Sequence, residues 1–242
     1  MAGAVARKLL KTIGVEVLAH TVEIGGIAAA PVALEDIMKK AANDTLRCAD
    51  PAASKKMAAL IDEAKKAGDS LGGIVEGIAL NVPAGLGEPV FDNLDGDLAK
   101  ALLAIPAVKG VEFGDGFGAA RRKGSENNDA FIIKNGRVAT ATNHAGGIEA
   151  GMTSAQPIVV RAAMKPISTL ARPLESVNLR TRQPEEASYE RSDVCAAPAA
   201  SVILENVVAF EVARALVDKL GGDSLAEMRA RWKLFHEMAA AR

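Results

Sequence analysis

Three stretches of this chain place residues of chemical use close together. The first runs from Gly110 through Gly114, Gly116 and Gly118 into Arg121, Arg122, Lys123, Gly124, Ser125, Glu126, Asn127, Asn128 and Asp129. Glycines let a backbone approach a ligand, and neighbouring cations suit a phosphate or carboxylate. The spacing is neither that of a dinucleotide fingerprint nor that of a P-loop, so a nucleotide cradle is rejected, and the stretch reads equally well as a long surface loop. The second stretch is Thr142-Asn143-His144-Ala145-Gly146-Gly147-Ile148-Glu149-Ala150-Gly151. It follows a strand pattern, where sites of layered α/β proteins commonly lie, and a histidine with an ordinary pKa of about 6.5 could carry a proton there. A hydrogen-bonded structural histidine is the competing reading. The third combines Lys165-Pro166-Ile167-Ser168-Thr169 with Tyr189-Glu190-Arg191-Ser192-Asp193. Lys165 and Arg191 could hold an anion and Asp193 could carry a proton, or they could be an exposed pair of cations and a helix cap.

Other chemistries lack support. His20 and His236 stand beside no Ser or Cys in a recognisable hydrolase signature. Cys48 and Cys195 are far apart and lack the spacing of a zinc site or a disulfide framework, so both read as free thiols, with no metal implied. With 29 Lys and Arg against 30 Asp and Glu, the formal charge of -1 provides no general field for nucleic acid or an anionic membrane. Aromatics make up only 3% of the chain, too few for a base-stacking platform. Apolar runs fall well short of the roughly 20 residues of a membrane span, and no secretory pattern opens the chain. The expected location is the cytoplasm.

The elements that must position these residues are written in the apolar spacing. Val5, Leu9, Leu10 and Ile13 predict a first helix without an N-cap, and Val15 to Val22 a strand ending at Gly25-Gly26. Helices are expected around Leu34 to Ala41, from Asp50-Pro51 to Gly68, over Leu94 to Leu103, from Pro198 to Gly221-Gly222, and after Ser224 with Glu227 as a capping box. Strands are expected over Gly72 to Val82, Phe131 to Lys134, Val138 to Thr142 and Ile158 to Met164, with Asn135-Gly136 as a hairpin turn. That makes about five strands and six helices in one α+β domain over residues 1–242, with no repeat and no linker.

Taken together, the clusters resemble the chorismate synthase family. The residues that carry the likeness are Gly72-Gly73-Ile74-Val75-Glu76, Gly85-Leu86-Gly87-Glu88-Pro89, Val108-Lys109-Gly110-Val111-Glu112-Phe113-Gly114, Gly124-Ser125-Glu126-Asn127, Asn143-His144-Ala145-Gly146-Gly147-Ile148, Lys165-Pro166 and Arg191-Ser192-Asp193-Val194-Cys195, continuing to Glu205-Asn206. The resemblance implies a lyase of aromatic amino acid biosynthesis that converts enolpyruvylshikimate phosphate to chorismate with loss of phosphate and a ring proton. It implies reduced FMN, required without net redox change, a β-α-β sandwich with helices between antiparallel sheets, and a homotetramer. Matched position by position, flavin contacts fall on Pro106, Ala107, Ala150, Lys165, Pro166, Ile167, Ser168, Thr169 and Arg191. Asp193 matches the carboxylate beside the flavin, with a role in proton transfer.

Departures from the family pattern carry expectations too. Ala150 stands where many relatives have Gly. The family's opening Gly-Glu-Ser-His-Gly type motif, its substrate-binding arginines and the two histidines that act as acids have no match between residues 1 and 242. The chain therefore reads as N-terminally incomplete, retaining the flavin side of the site and lacking most of the substrate side. On its own it is expected to be inactive, because groups that act as a unit lose most of their rate together. The alternative function is an inactive fragment, or a flavin-binding or assembly module of that family.

Overall fold

The computed structural model describes residues 1–134 and 136–240; Asn135, half of the expected hairpin turn, lies outside the described residues. In chain order the elements are α1 (Ala2–Lys11), β1 (Glu16–Ile24), β2 (Ile27–Ala28), α2 (Leu34–Lys40), α3 (Pro51–Ala67), β3 (Gly73–Leu80), α4 (Leu94–Leu103), β4 (Val108–Phe113), α5 (Gly124–Asn127), β5 (Phe131–Lys134), β6 (Arg137–Thr140), β7 (Ile148–Glu149), β8 (Met152–Thr153), β9 (Ile158–Met164), β10 (Glu175–Val177), β11 (Pro184–Glu186), α6 (Ala197–Leu220) and α7 (Leu225–Ala240). Short 3-10 turns occupy Ala41–Asn43 and Gly116–Arg121.

The sheet that organises the molecule has the order β2-β1-β3-β9-β4, and every pairing in it is antiparallel. Alternation along the strands sorts residues between two faces. Ile158, Val160 and Ala162 are fully buried on one face, with Arg161 between Val160 and Ala162 on the other. Gly77 lies on the helix-facing side, where an added Cβ would run into the Leu204 side chain. The missing side chain lets the 24-residue α6 lie close to β3. Leu204, Val208, Val212 and Leu216 of α6 are all fully buried, each contributing about 1.5–3 kcal/mol relative to exposure. The helix α1 packs along α6, with Gly3 against Asn206, and α4 adds Leu98 and Leu102 to the same core. On the opposite face a smaller cluster of Ile37, Ala41, Ala49, Ile78 and Leu80 covers part of the sheet.

The α+β class is as expected: among the described residues a five-stranded antiparallel sheet carries a helix layer on one face, and three two-stranded sheets, β5-β6, β7-β8 and β10-β11, complete the strands. Local signals explain the best-matched elements. Asp50 accepts hydrogen bonds from the N–H groups of Ala52 and Ala53, Pro51 opens α3, and Gly68 closes it at φ +70. The capping residues of α7 are shifted from expectation. Glu227 N–H donates to Ser224 Oγ, but the Glu227 carboxylate accepts from Asp223 N–H instead of closing on Ser224.

The element count needs correcting. Among the described residues there are seven α-helices and eleven strands, against about six and five expected. The consequential omission is β4. Lys109, Gly110 and Glu112 interrupt its apolar pattern, and a register shift between Val108 and Gly110 hides the remaining alternation. The other additions are two- to four-residue pieces too short to show a period.

Candidate functional site

The antiparallel order gives the sheet two ends, and the three clusters divide between them. At the end where β9 finishes, β3 and β4 begin, and Met164 stands opposite both Gly73 and Val108. Lys165 N–H donates to Ala107 O at 2.9 Å, which joins the segment after β9 to the turn before β4. Ser70 Oγ donates to Ile167 O at 2.6 Å. Thr169 Oγ1 donates to Ser192 Oγ at 3.1 Å, and Ser192 Oγ donates to Thr169 O at 3.3 Å. Leu71 N–H donates to Val194 O at 2.8 Å, and a parallel bridge pairs Leu71 with Cys195. These bonds bring Pro106, Ala107, Lys165 to Thr169 and Arg191 to Asp193 to one place, although they are widely separated in sequence.

Much of the surface here is bare backbone. A cavity of about 270 Å³ is lined by Glu23, Gly25, Gly26, Gly72, Gly73 and Met164 among others. At Gly72 a Cβ would lie 2.5 Å from Met164 O and 3.1 Å from Pro166 Cδ, so only glycine fits. Ala107 adopts φ +68, a left-handed conformation uncommon for alanine. Lys165, Arg191 and Asp193 are exposed, and among the described residues none of them is in an ion pair. Cys195 lies at the edge of this site; burial pushes its thiol up, against the lowering effect of a backbone bond to Ala197, which makes it a poor nucleophile.

At the opposite end lie the first two clusters. Asp115 N–H donates to His144 O at 2.9 Å, and the Asp115 carboxylate bonds both Arg122 and His144 Nδ1. Burial raises the Asp115 carboxyl, but the hydrogen bonds and charges of His144 and Arg122 outweigh it and hold the group below its ordinary value. Asp129 accepts from His144 N–H at 2.8 Å, Ala145 N–H at 3.0 Å and Thr142 Oγ1, and these bonds likewise lower its carboxyl against a burial effect that raises it. His144 is thus tied by its backbone and its ring to two carboxylates. The structural reading of that residue is the one the geometry favours. The seven residues of β9 separate it from Lys165, a span of about 20 Å.

Ala150 also sits at this second end. It is exposed, adopts φ +50 in the turn between β7 and β8, and adjoins Gly151, whose O accepts from Leu94 N–H at the start of α4. The structure therefore gathers eight of the nine expected flavin contacts with Asp193 and leaves Ala150 apart from them.

One charged group that the sequence reading quoted only as a continuation of the family likeness proves to be buried. Glu205 is 5% exposed within α6 and is paired with Arg7 Nη1 at 2.6 Å and Arg47 Nη2 at 2.8 Å. A carboxylate inside an otherwise apolar helical stripe was the signal that could have found it.

Comparison with known proteins places this geometry. Residues 1–217 match the family profile described as Chorismate synthase. A chorismate synthase of Geobacillus sp. (strain WCH70) is 52% identical over 230 residues, covering 93% of this chain and 59% of the relative. That of Bacillus subtilis (strain 168) is 50% identical over 234 residues, covering 94% of this chain and 60% of the relative. A solved structure described as "Crystal Structure of Chorismate Synthase" superposes with a TM-score of 0.85 at 35% identity, covering all of this chain and 68% of that one. The chain thus spans about three fifths of the length of the curated relatives it matches. It belongs to the chorismate synthase family.

Proposed function

We propose that this chain carries the cofactor side of a chorismate synthase, which eliminates phosphate from enolpyruvylshikimate phosphate to form chorismate. The observation that supports this most is the convergence of Ala107, Lys165 to Thr169, Arg191 and Asp193 at one end of the sheet in a chain of this family.

The residues there suit reduced FMN. A wall of Gly25, Gly26, Gly72 and Gly73, with Glu23 beside it, offers backbone without side chains to a flat ring, and Lys165 and Arg191, in no ion pair among the described residues, are available to an anionic group. When bound, reduced FMN supplies an electron-rich ring beside the substrate with no net redox change. The protein's own part is to bind and to move a proton. Lys165 and Arg191 hold phosphate charge by Coulomb attraction, which strengthens as water is excluded. The Asp193 carboxylate holds or releases a proton next to the ring. The substrate is a small molecule. A homotetramer and a cytoplasmic location belong to the same proposal. Exposed Val202, Ile203, Phe210 and Val217 on α6 offer apolar surface for assembly, and no helix among the described residues is long and apolar enough to cross a membrane.

The test combines the chain with a separately produced portion of the Geobacillus relative lying outside the matched region, then adds reduced FMN and substrate. Chorismate formation by the mixture, with FMN binding weakened about tenfold to a hundredfold by Arg191→Ala, is expected from the loss of one charge-assisted bond of about 1.5–3 kcal/mol. FMN affinity unchanged in both Arg191→Ala and Lys165→Ala would remove the basis of the assignment.

A further inference from the structure

A second lysine stands at the flavin end of the sheet, and the strand is deformed where it sits. Along β4, Val111 opposite Ala162, Glu112 opposite Arg161 and Phe113 opposite Val160 follow one register. Continued past Gly110 and Ala163, that register would set Lys109 opposite Met164, which belongs to the main core. The register instead shifts between Val108 and Gly110, so that Val108, 5% exposed, takes the place opposite Met164 and Lys109 becomes the extra residue of a β-bulge. An ammonium group is thereby kept out of the core, and Lys109 is exposed.

The place of the bulge matters as much as its form. Lys165 N–H donates to Ala107 O, so Lys109 lies two residues along the chain from the partner of Lys165, the diagonal relation that holds residues of neighbouring strands about 7–8 Å apart. Both lysines are exposed, and neither is in an ion pair among the described residues. The cavity of about 270 Å³ reaches Ala163 and Met164, the two residues of β9 that the bulge faces. Beyond Ala163, toward the open edge of the sheet, stands Gly110. A Cβ at Gly110 would meet only Ala163, at 3.6 Å, an ordinary contact, so packing does not demand a glycine there. Glycine inside a strand also marks places where a ligand comes close to the backbone.

Resting on the flavin reading above, we propose that Lys109 is a further anion-binding residue of this site and meets the phosphate monoester of FMN. A phosphate monoester carries about -1.5 to -2 charge at pH 7, more than one cation balances. Lys109, Lys165 and Arg191 together match it, and an ammonium group on a flexible stem suits a phosphate oxygen as a point charge. The flat ring has no such charge. Backbone of the glycine wall takes the ring, and the cations take the phosphate. The acids at this end, Glu23 and Asp193, leave Lys109 unpaired among the described residues. A lysine on an edge strand also discourages pairing with another chain, but that role makes no distinction between flavins with and without a phosphate.

The probes are FMN and riboflavin, which differ only in that phosphate, each titrated into the full 242-residue chain and followed by flavin fluorescence. The parent is expected to bind FMN more tightly than riboflavin. Lys109→Gln should weaken FMN binding about tenfold, which corresponds to 1.4 kcal/mol, and leave riboflavin binding within about twofold of the parent. Lys109→Arg should keep most of the FMN affinity, because the charge is retained. Lys109 is exposed, so circular dichroism of both variants should stay native. FMN affinity unchanged in Lys109→Gln, or equal losses for FMN and riboflavin, would overturn the proposal while leaving the flavin site in place. If the parent binds neither flavin, the flavin reading fails and the assignment of Lys109 fails with it.

Discussion

Replacing Glu205 by Gln tests how much the buried carboxylate holds together. Its two partners differ in exposure: the Arg7 side chain is 46% exposed and the Arg47 side chain 22%. An ion pair open to water contributes about 0–1 kcal/mol, so losing Arg7 alone should matter little. Arg47 is different. Its guanidinium also donates to Ala19 O, its backbone carbonyl accepts from Thr21 N–H, and its backbone stands at φ +55, so it cannot easily swing into solvent. Glu205→Gln leaves that guanidinium without a counter-charge. The cost lies below the roughly 3–5 kcal/mol of a fully buried broken pair, because Arg47 retains some water; about 2–3 kcal/mol is expected. For a chain of this size that lowers Tm by about 5–10 °C. Thermal unfolding followed by far-UV circular dichroism reads it directly, with Arg7→Ala as the control expected to move Tm by about 3 °C or less. A Glu205→Gln protein unfolding within 1 °C of the parent would refute the reasoning, since it would mean that Arg47 needs no buried partner.

Two further outcomes follow from strained backbone and from tied carboxylates. Ala150→Gly should raise stability by about 1 kcal/mol, visible as an upward shift in Tm of about 2–4 °C, because a non-glycine residue in the left-handed region costs about 1–2 kcal/mol and glycine's larger unfolded-state entropy returns part of that. Acid should loosen the end of the sheet that holds His144. Asp115 and Asp129 are both held below the ordinary carboxylate value, so their contribution is fully present above about pH 4 and fades as pH falls through their lowered values. Exchange protection of the His144 and Ala145 amides, corrected for intrinsic rate, should fall below about pH 4 in the parent and be low at every pH in Asp129→Asn.

The sequence was most readable where a local pattern and its punctuation agreed. Leu94–Leu103 and Ile158–Met164 match expectation residue for residue, because an apolar period is bounded in the first by Pro106 and in the second by a clean two-residue alternation. Residues 108–113 show the opposite case. Glycine at 110 and charges at 109 and 112 look like a loop, and they become a strand only because Ala162, Ala163 and Arg161 of β9 lie alongside to accept them. Tertiary context overrode propensity there, as it commonly does at sheet edges.

The site shows the same division between what is local and what is not. That Lys165, Arg191 and Asp193 could carry useful chemistry was legible from their types. That they meet at all depends on the order β3-β9-β4, which puts Ala107 against Lys165 and, through Leu71, draws Val194 to the start of β3. No apolar period encodes that order. Ala150 was singled out for its added methyl, and its φ of +50 gives that choice a physical meaning: the turn asks for glycine whether or not a flavin approaches it. His144 and Glu205 mark the limit from both sides. The histidine drew attention as a possible proton carrier and proves to be held by Asp115 and Asp129, while the glutamate, quoted only as a continuation of the family likeness, proves to be the buried anchor of two arginines. In each case the deciding fact is a partner far away in sequence, so the chemistry of a titratable residue here follows from the sheet that brings its neighbours to it.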